Sequence, residues 1–339
     1  MKKILLAVCL VLSIGACVRQ TNEKKVPTPQ MAQLKTFCIG RHLVDLPSTF
    51  ELVPGSSGIF KTTAFSDEDS GIDIAINAGA MTVLQFAAAI ETRRNELKKT
   101  GSATVDKLEF EKVLDERGVL FRVRRVKDAY VSEINLLRGT TFVTATLNSY
   151  HAKYREAEDA LLGFAQQITE RQTVESAAEG FCLGPITISG DYKQESANVL
   201  FRDSADKGTA FDILLDTYTP DPESSLLERV ATPVSLLTKF NAQHKVLRKR
   251  EFRVAGMRAQ EWLGSIELND KKQFGFAMET LREKPNRQLP RIRISFDTGQ
   301  PGEDGSVSDK VMADQAALRL WDTVVASVRP NPKVWIAAQ

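Results

Sequence analysis

A four-residue string that occurs twice constrains this chain more than any other feature. Phe37-Cys38-Ile39-Gly40 returns as Phe181-Cys182-Leu183-Gly184, and the segments behind each copy follow one order. Strand-like runs come first. Alternation and β-branched content mark Gly71-Ile72-Asp73-Ile74-Ala75-Ile76-Asn77 in the first half and Thr209-Ala210-Phe211-Asp212-Ile213-Leu214-Leu215-Asp216 in the second. A helix follows in each half. The first covers residues 82–99, with Val83, Phe86, Ala87 and Ile90 on one face; the second covers 222–242, with Leu226, Leu227, Val230, Val234, Leu237 and Phe240 as its stripe and Pro233 kinking or splitting it. Meanders over 104–149 and 245–297, then closing helices over 153–169 and 308–328, complete the two copies. Strands in runs with helices between them predict an α+β fold of two similar domains, each an antiparallel sheet packed with two helices. The polar stretch 171–180 reads as a linker, which sets the domains at 33–171 and 178–331. A groove between two such domains suits binding.

The start of the chain carries a different signal. Lys2 and Lys3 precede an apolar run from Ile4 to Ile14, shorter than the roughly 20 residues a helix needs to cross a bilayer. Ile14-Gly15-Ala16-Cys17 then resembles the lipobox of bacterial lipoproteins, the alternative being an ordinary secretory signal. The expectation is a signal peptide over 1–16, a diacylglycerol on Cys17, and a polar tether over 17–32. Val18 follows the cysteine where an aspartate would signal inner-membrane retention, so the anchor is expected in the outer membrane, facing the periplasm. The whole chain has a net charge of +2, and loss of Lys2 and Lys3 takes the mature chain to about zero. Neither nucleic acid nor an anionic surface is implied, and no later segment is apolar enough to span a membrane.

Of four cysteines, Cys9 leaves with the signal and Cys17 takes the lipid. Cys38 and Cys182 remain, either paired, as is common in an oxidising compartment, or as two separately buried thiols. A bond between them would join equivalent points of the two copies and contribute on the order of 5 kcal/mol in the chain-entropy model. It requires Cα atoms closer than about 7 Å.

Catalytic patterns are missing. His42, His151 and His244 lack a second histidine at metal spacing, and each reads as a surface or half-buried residue. There is no G-x-S-x-G elbow, no phosphate-binding loop and no dinucleotide fingerprint. Asp67-Glu68-Asp69-Ser70-Gly71 has Ala78 where a calcium loop needs its bidentate acid, so it reads as a solvated turn. The basic runs Arg122-Val123-Arg124-Arg125 and Leu247-Arg248-Lys249-Arg250 alternate with acids and read as solvated sheet faces. No metal, no cofactor and no enzyme is expected; a hydrolase with scattered catalytic residues is the minor alternative.

One segment is more specific. Phe37-Cys38-Ile39-Gly40-Arg41-His42-Leu43-Val44-Asp45-Leu46-Pro47 resembles the immunity proteins that protect bacteria from type VI secretion phospholipase effectors, in the branch cognate to the fourth lipase class. The second head is similar to that family's second domain, although Pro185-Ile186-Thr187-Ile188-Ser189 replaces the R-x-x-V-D-L run, and its sheet is expected to be capped differently. The resemblance implies a two-domain claw that clamps and inhibits the lipase, with the membrane reached through the lipid on Cys17. It names no contact residues. Gly40, Arg41, Asp45, Pro47 and Gly184 are read as fold-forming: Gly40 and Pro47 bracket a short strand, and Asp45 accepts backbone N–H bonds at the turn. An envelope adaptor or scaffold with no toxin partner is the alternative function.

Overall fold

The computed structural model describes residues 33–61, 65, 71–77, 79–99, 107–171, 173, 180–219, 222, 224–231, 243–268, 271–281, 284–299 and 312–335. The signal segment, Cys17, the tether, the run Asp67-Glu68-Asp69 and most of the expected helix over 222–242 lie outside these residues. Residues 33–339 form one compact unit. Among the described residues no helix is long and apolar enough to cross a membrane.

Each copy opens with a hairpin, here called a head. β1 (Leu34–Ile39) pairs with β2 (His42–Pro47), and later β11 (Phe181–Leu183) pairs with β12 (Ile186–Ile188), all antiparallel. Both turns place a glycine in the left-handed region, Gly40 at φ 56° and Gly184 at φ 55°, while Arg41 and Pro185 keep negative φ. Glycine at the first central position is the signature of a type II′ turn, whose twist matches that of the flanking strands.

Behind the first head come β3 (Phe50–Leu52), β4 (Ser56–Lys61), β5 (Ile72–Asn77) and α1 (Val83–Lys99). The meander β6 (Lys107–Asp115), β7 (Gly118–Val126), β8 (Ala129–Arg138) and β9 (Thr141–Tyr150) follows, and α2 (Tyr154–Gln166) and β10 (Ile168–Glu170) close the half. Behind the second head the order recurs: β13 (Gln194–Asp203), β14 (Ala210–Asp216), α3 (Leu226–Ala231), β15 (Gln243–Val254), β16 (Met257–Leu268), β17 (Lys271–Thr280), β18 (Arg291–Asp297), α4 (Asp314–Ser327), β19 (Arg329–Pro330) and a last turn α5 (Pro332–Trp335). In space the first half runs β4-β5-β9-β8-β7-β6 and the second β13-β14-β18-β17-β16-β15, the same arrangement twice.

The antiparallel α+β character holds, but the expectation of two separate sheets is corrected. β4 pairs antiparallel with β13, and one sheet of 13 strands crosses both halves. The seam needs a residue without a side chain, because a Cβ on Gly58 would stand 2.5 Å from the carbonyl oxygen of Ser196.

The sheet has two unlike faces. One carries Phe60, Ile72, Ile74, Phe211, Ile213, Ile294 and Phe296, and is covered by α2, α4 and the heads. α2 buries Ala157, Leu161 and Phe164 there, and α4 buries Trp321 against Phe211 and Phe276. Among the described residues the opposite face is covered only at its ends. α1 seats Phe86, Ile90 and Leu97 on Val119, Phe121 and Val123, and α3 lies on β16. Both helices start at a reciprocal capping box: Thr82 with Gln85, and Ser225 with Glu228, each backbone N–H bonded to the other's side chain.

Candidate binding surface

The heads are exchanged between the halves. A Cβ on Gly40 would meet Leu215 and Phe181 of the second half, and one on Gly184 would meet Ile76 and Leu52 of the first. Backbone bonds of 2.8 and 2.7 Å tie Gly40 to Cys182. Beside them Cys38 and Cys182 form a disulfide, with Cα atoms 5.6 Å apart. The closing strands complete the exchange. β10, at the end of the first half, pairs with β12 of the second head, and β19, at the end of the second half, pairs with β2 of the first head.

The motif residues sit in this junction. Arg41 forms a two-pronged bond to Glu195 on β13 (Nε 2.8 Å, Nη2 2.6 Å), and Glu195 is fully buried. The Arg287 guanidinium adds a second positive charge, 3.6 Å from the same carboxylate. Asp45 accepts from the Thr36 hydroxyl at 2.7 Å and from both terminal nitrogens of Arg329 at 2.8 and 3.0 Å. Burial pushes the Asp45 carboxyl up, but the bonds from Arg329 and Thr36 outweigh it and hold the group below the usual carboxylate range. The expected backbone N–H partners for this carboxylate are therefore replaced by side chains from β1 and β19. Pro47 stands opposite Leu34, at a pair that exchanges no ladder bond, so its missing N–H costs nothing. His42 departs from expectation. It is 1% exposed, neither ring nitrogen has a partner, and burial lowers its pKa to about 4. Its strand alternates it with Val44 and Leu46 onto the closed face, which outranks the usual preference of histidine for half-exposed positions. His151 is exposed, and His244 stacks on Trp262.

Among the described residues the sheet face between α1 and α3 is open. Six strands cross it, β9, β5, β4, β13, β14 and β18, about 25 Å at ordinary strand spacing. One row reads Thr144, Ala75, Ser57, Asn198, Leu214, Arg293, mostly short side chains that keep the floor low. Its walls are fixed alike in both halves. Arg93 of α1 binds Glu133 on β8 at 2.7 Å, and Arg229 of α3 binds Glu279 on β17 at 2.7 Å, both carboxylates nearly buried. Asp73, Asp212 and Asp297 lie on the floor, and burial raises the pKa of all three; Asp212 adds to the rise at Asp297, while Arg293 opposes it at both Asp212 and Asp297. Among the described residues no three His, Cys, Asp or Glu side chains gather as metal ligands would. Sequence reasoning singled out neither Glu195, Arg329 nor this floor. Two surfaces thus stand out: a rigid junction made of the motif, and an open, walled sheet face that carries Asp73, Asp212 and Asp297.

Residues 176–333 match the family described as the Tle cognate immunity protein 4 C-terminal domain. The second half of the chain is similar to that family. An immunity protein is not an enzyme, and neither is this chain. Solved structures extend the likeness beyond the immunity protein 4 domain to both halves. The apo immunity protein TplEi of the T6SS from Pseudomonas aeruginosa is 19% identical, with a TM-score of 0.64 over 88% of this chain and 97% of that one. A chain in the crystal structure of the Tle4–Tli4 complex matches at 20% identity and a TM-score of 0.64, over 88% of this chain and 98% of that one. TplEi complexed with an "L" peptide matches at 19% identity and a TM-score of 0.62, with the same coverage as the complex. At these identities the likeness is one of fold. None of the curated proteins is detectably similar in sequence.

Proposed function

We propose that the chain is a periplasmic immunity protein, lipid-anchored through Cys17, that binds and inhibits a cognate type VI secretion phospholipase effector. The observation that carries this reading is the match of residues 176–333 to an immunity-protein domain, supported by a fold shared over both halves with TplEi and with the Tle4–Tli4 complex. The two α+β repeats act as the two arms of a clamp. The open face walled by α1 and α3 is wide enough to hold a protein surface, and inhibition needs shape and charge there rather than a reactive group.

Co-expression with the phospholipase encoded beside it tests the reading. A stable complex and survival of cells that receive the lipase in the periplasm are expected. A chain that neither binds nor protects would instead favour an envelope adaptor. The anchor is tested separately. Cys17→Ser should leave affinity in solution unchanged and weaken protection in cells, because a tethered inhibitor is concentrated where the lipase attacks. Full protection by that variant would show the lipid to be dispensable.

A further inference from the structure

The bond between the heads lies against the end of the chain. Cys38 and Cys182 are 2% and 0% exposed, and Leu43 of β2 packs with both. Asn331 follows β19 directly and is buried as well. Its side-chain nitrogen stands 3.5 Å from the Cys38 sulfur. Its side-chain oxygen accepts the Lys333 backbone N–H at 3.2 Å, which turns the amide so that its N–H end meets the sulfur. Its own backbone N–H donates to the Arg41 carbonyl at 3.0 Å, at the turn of the first head. Among the described residues, few bonds hold this segment to that head. β19 offers two residues to β2, Arg329 opposite Leu43 and Pro330 opposite His42, and proline has no N–H to give. The Arg329 guanidinium adds its bonds to Asp45 at 2.8 and 3.0 Å. A two-residue strand tied by one ion pair opens locally at far lower free energy than a sheet of 13 strands unfolds.

We infer that residues 329–335 form a strap that closes over the finished Cys38–Cys182 bond and gates its thiol–disulfide exchange. Exchange requires a thiolate to reach one of the two sulfurs. A dithiol reductant attacks one cysteine sulfur and releases the other as a thiolate. Its second thiol then frees the attacked cysteine. The cysteines gain two electrons and two protons, and the reductant leaves as a disulfide. With the strap down, both sulfurs are out of reach. With Asn331 lifted, the Cys38 sulfur is presented to the thiolate while the sheet stays folded. The same gate works in the oxidising direction, so a disulfide-bearing oxidant must act on the two thiols before the strap arrives. The strap belongs to the second half and the sulfur it covers to the first head. The bond is therefore sealed only when the two ends of the fold have met.

Reduction kinetics of the processed chain carrying Cys17→Ser test the strap. The protein is held in native buffer with dithiothreitol, and freed thiols are alkylated and counted by mass over time. This parent should be reduced far more slowly than the same chain in urea. Asn331→Ala takes the amide away from the sulfur, and Arg329→Gln removes the ion pair to Asp45. Each should speed reduction about tenfold, the effect of losing roughly one hydrogen bond's net contribution to strap closure. Val123→Ala thins the packing beneath α1, on the opposite face of the sheet, and lowers global stability. It should leave the reduction rate unchanged. If Val123→Ala speeds reduction as much as the two strap variants do, global unfolding exposes the bond and the strap is overturned. Reduction of the parent as fast in native buffer as in urea, or strap variants reduced no faster than the parent, would overturn it equally.

Discussion

Two residues of the first head carry more energetic weight than their place in a hairpin suggests. Glu195 is fully buried, and its charge partners are Arg41 and Arg287. Arg41→Met leaves a buried carboxylate short of its main partner and should destabilise the protein by about 3–5 kcal/mol, whereas Arg41→Met with Glu195→Leu should recover most of that loss. Urea unfolding of the two variants reads the difference. His42 acts through protons. The unfolded ring binds a proton near its ordinary pKa of 6.5, but the folded ring refuses it until about pH 4. The unfolded state therefore holds the extra proton between those values. Stability should fall as pH drops from about 6.5 to about 4, by about 3 kcal/mol in total. Above pH 6.5 the residue should contribute no slope. His42→Leu should flatten the decline between pH 6.5 and 4.5, as measured by unfolding free energy across that range.

The turns and short strands decide how the halves meet. Gly40 and Gly184 share one backbone conformation but not one environment. A Cβ on Gly40 would lie 3.1 Å from a Leu215 methyl, while one on Gly184 would lie 2.3 Å from Ile76 and 2.8 Å from Leu52. Both alanine variants pay the left-handed backbone penalty of about 1–2 kcal/mol, and Gly184→Ala adds overpacking of about 1–3 kcal/mol. Thermal melts should rank Gly184→Ala clearly below Gly40→Ala. Much of this element-level plan was legible beforehand. The repeated head, the alternation of Ile72, Ile74 and Ile76, and the stripe of Phe86 and Ile90 each follow from a period that burial imposes on one face. The seam between β4 and β13 was not legible, because edge pairing depends on backbone groups that every sequence shares. β19 was missed for a simpler reason: two residues, Arg329 and Pro330, are too few to show any period. Glu195 was missed because a carboxylate on a strand looks solvated until the arginine that covers it is located, and that arginine lies 154 residues away. The open floor was hidden as well, since a strand pattern says which side chains share a face and not which helices will cover it.

At the scale of the whole molecule, exchange makes each half depend on the other. The heads sit on opposite halves, and β10 and β19 each finish the head that their own half does not own. Residues 33–171 and 178–339, expressed apart, should each fail to give a cooperative melt, and mixing them should restore one. The Cys38–Cys182 bond, 144 residues apart in sequence, acts on the same junction. The double variant Cys38→Ser/Cys182→Ser should lose on the order of 5 kcal/mol in unfolding free energy. A loss near zero would show that Gly40, Arg41 and the exchanged strands suffice to hold the heads together.

The pairing of β19 with β2 also sets a clock. Asp45 meets Arg329 across 284 residues of chain, so the first head is finished only when the last strand arrives. Contacts this distant are made late, since the entropy of closing so long a loop must be overcome before the contact contributes anything. The chain therefore has no early resting point at which one half is complete. The first head stays unfinished, with one edge of β2 unpaired, until Arg329 and Pro330 reach it.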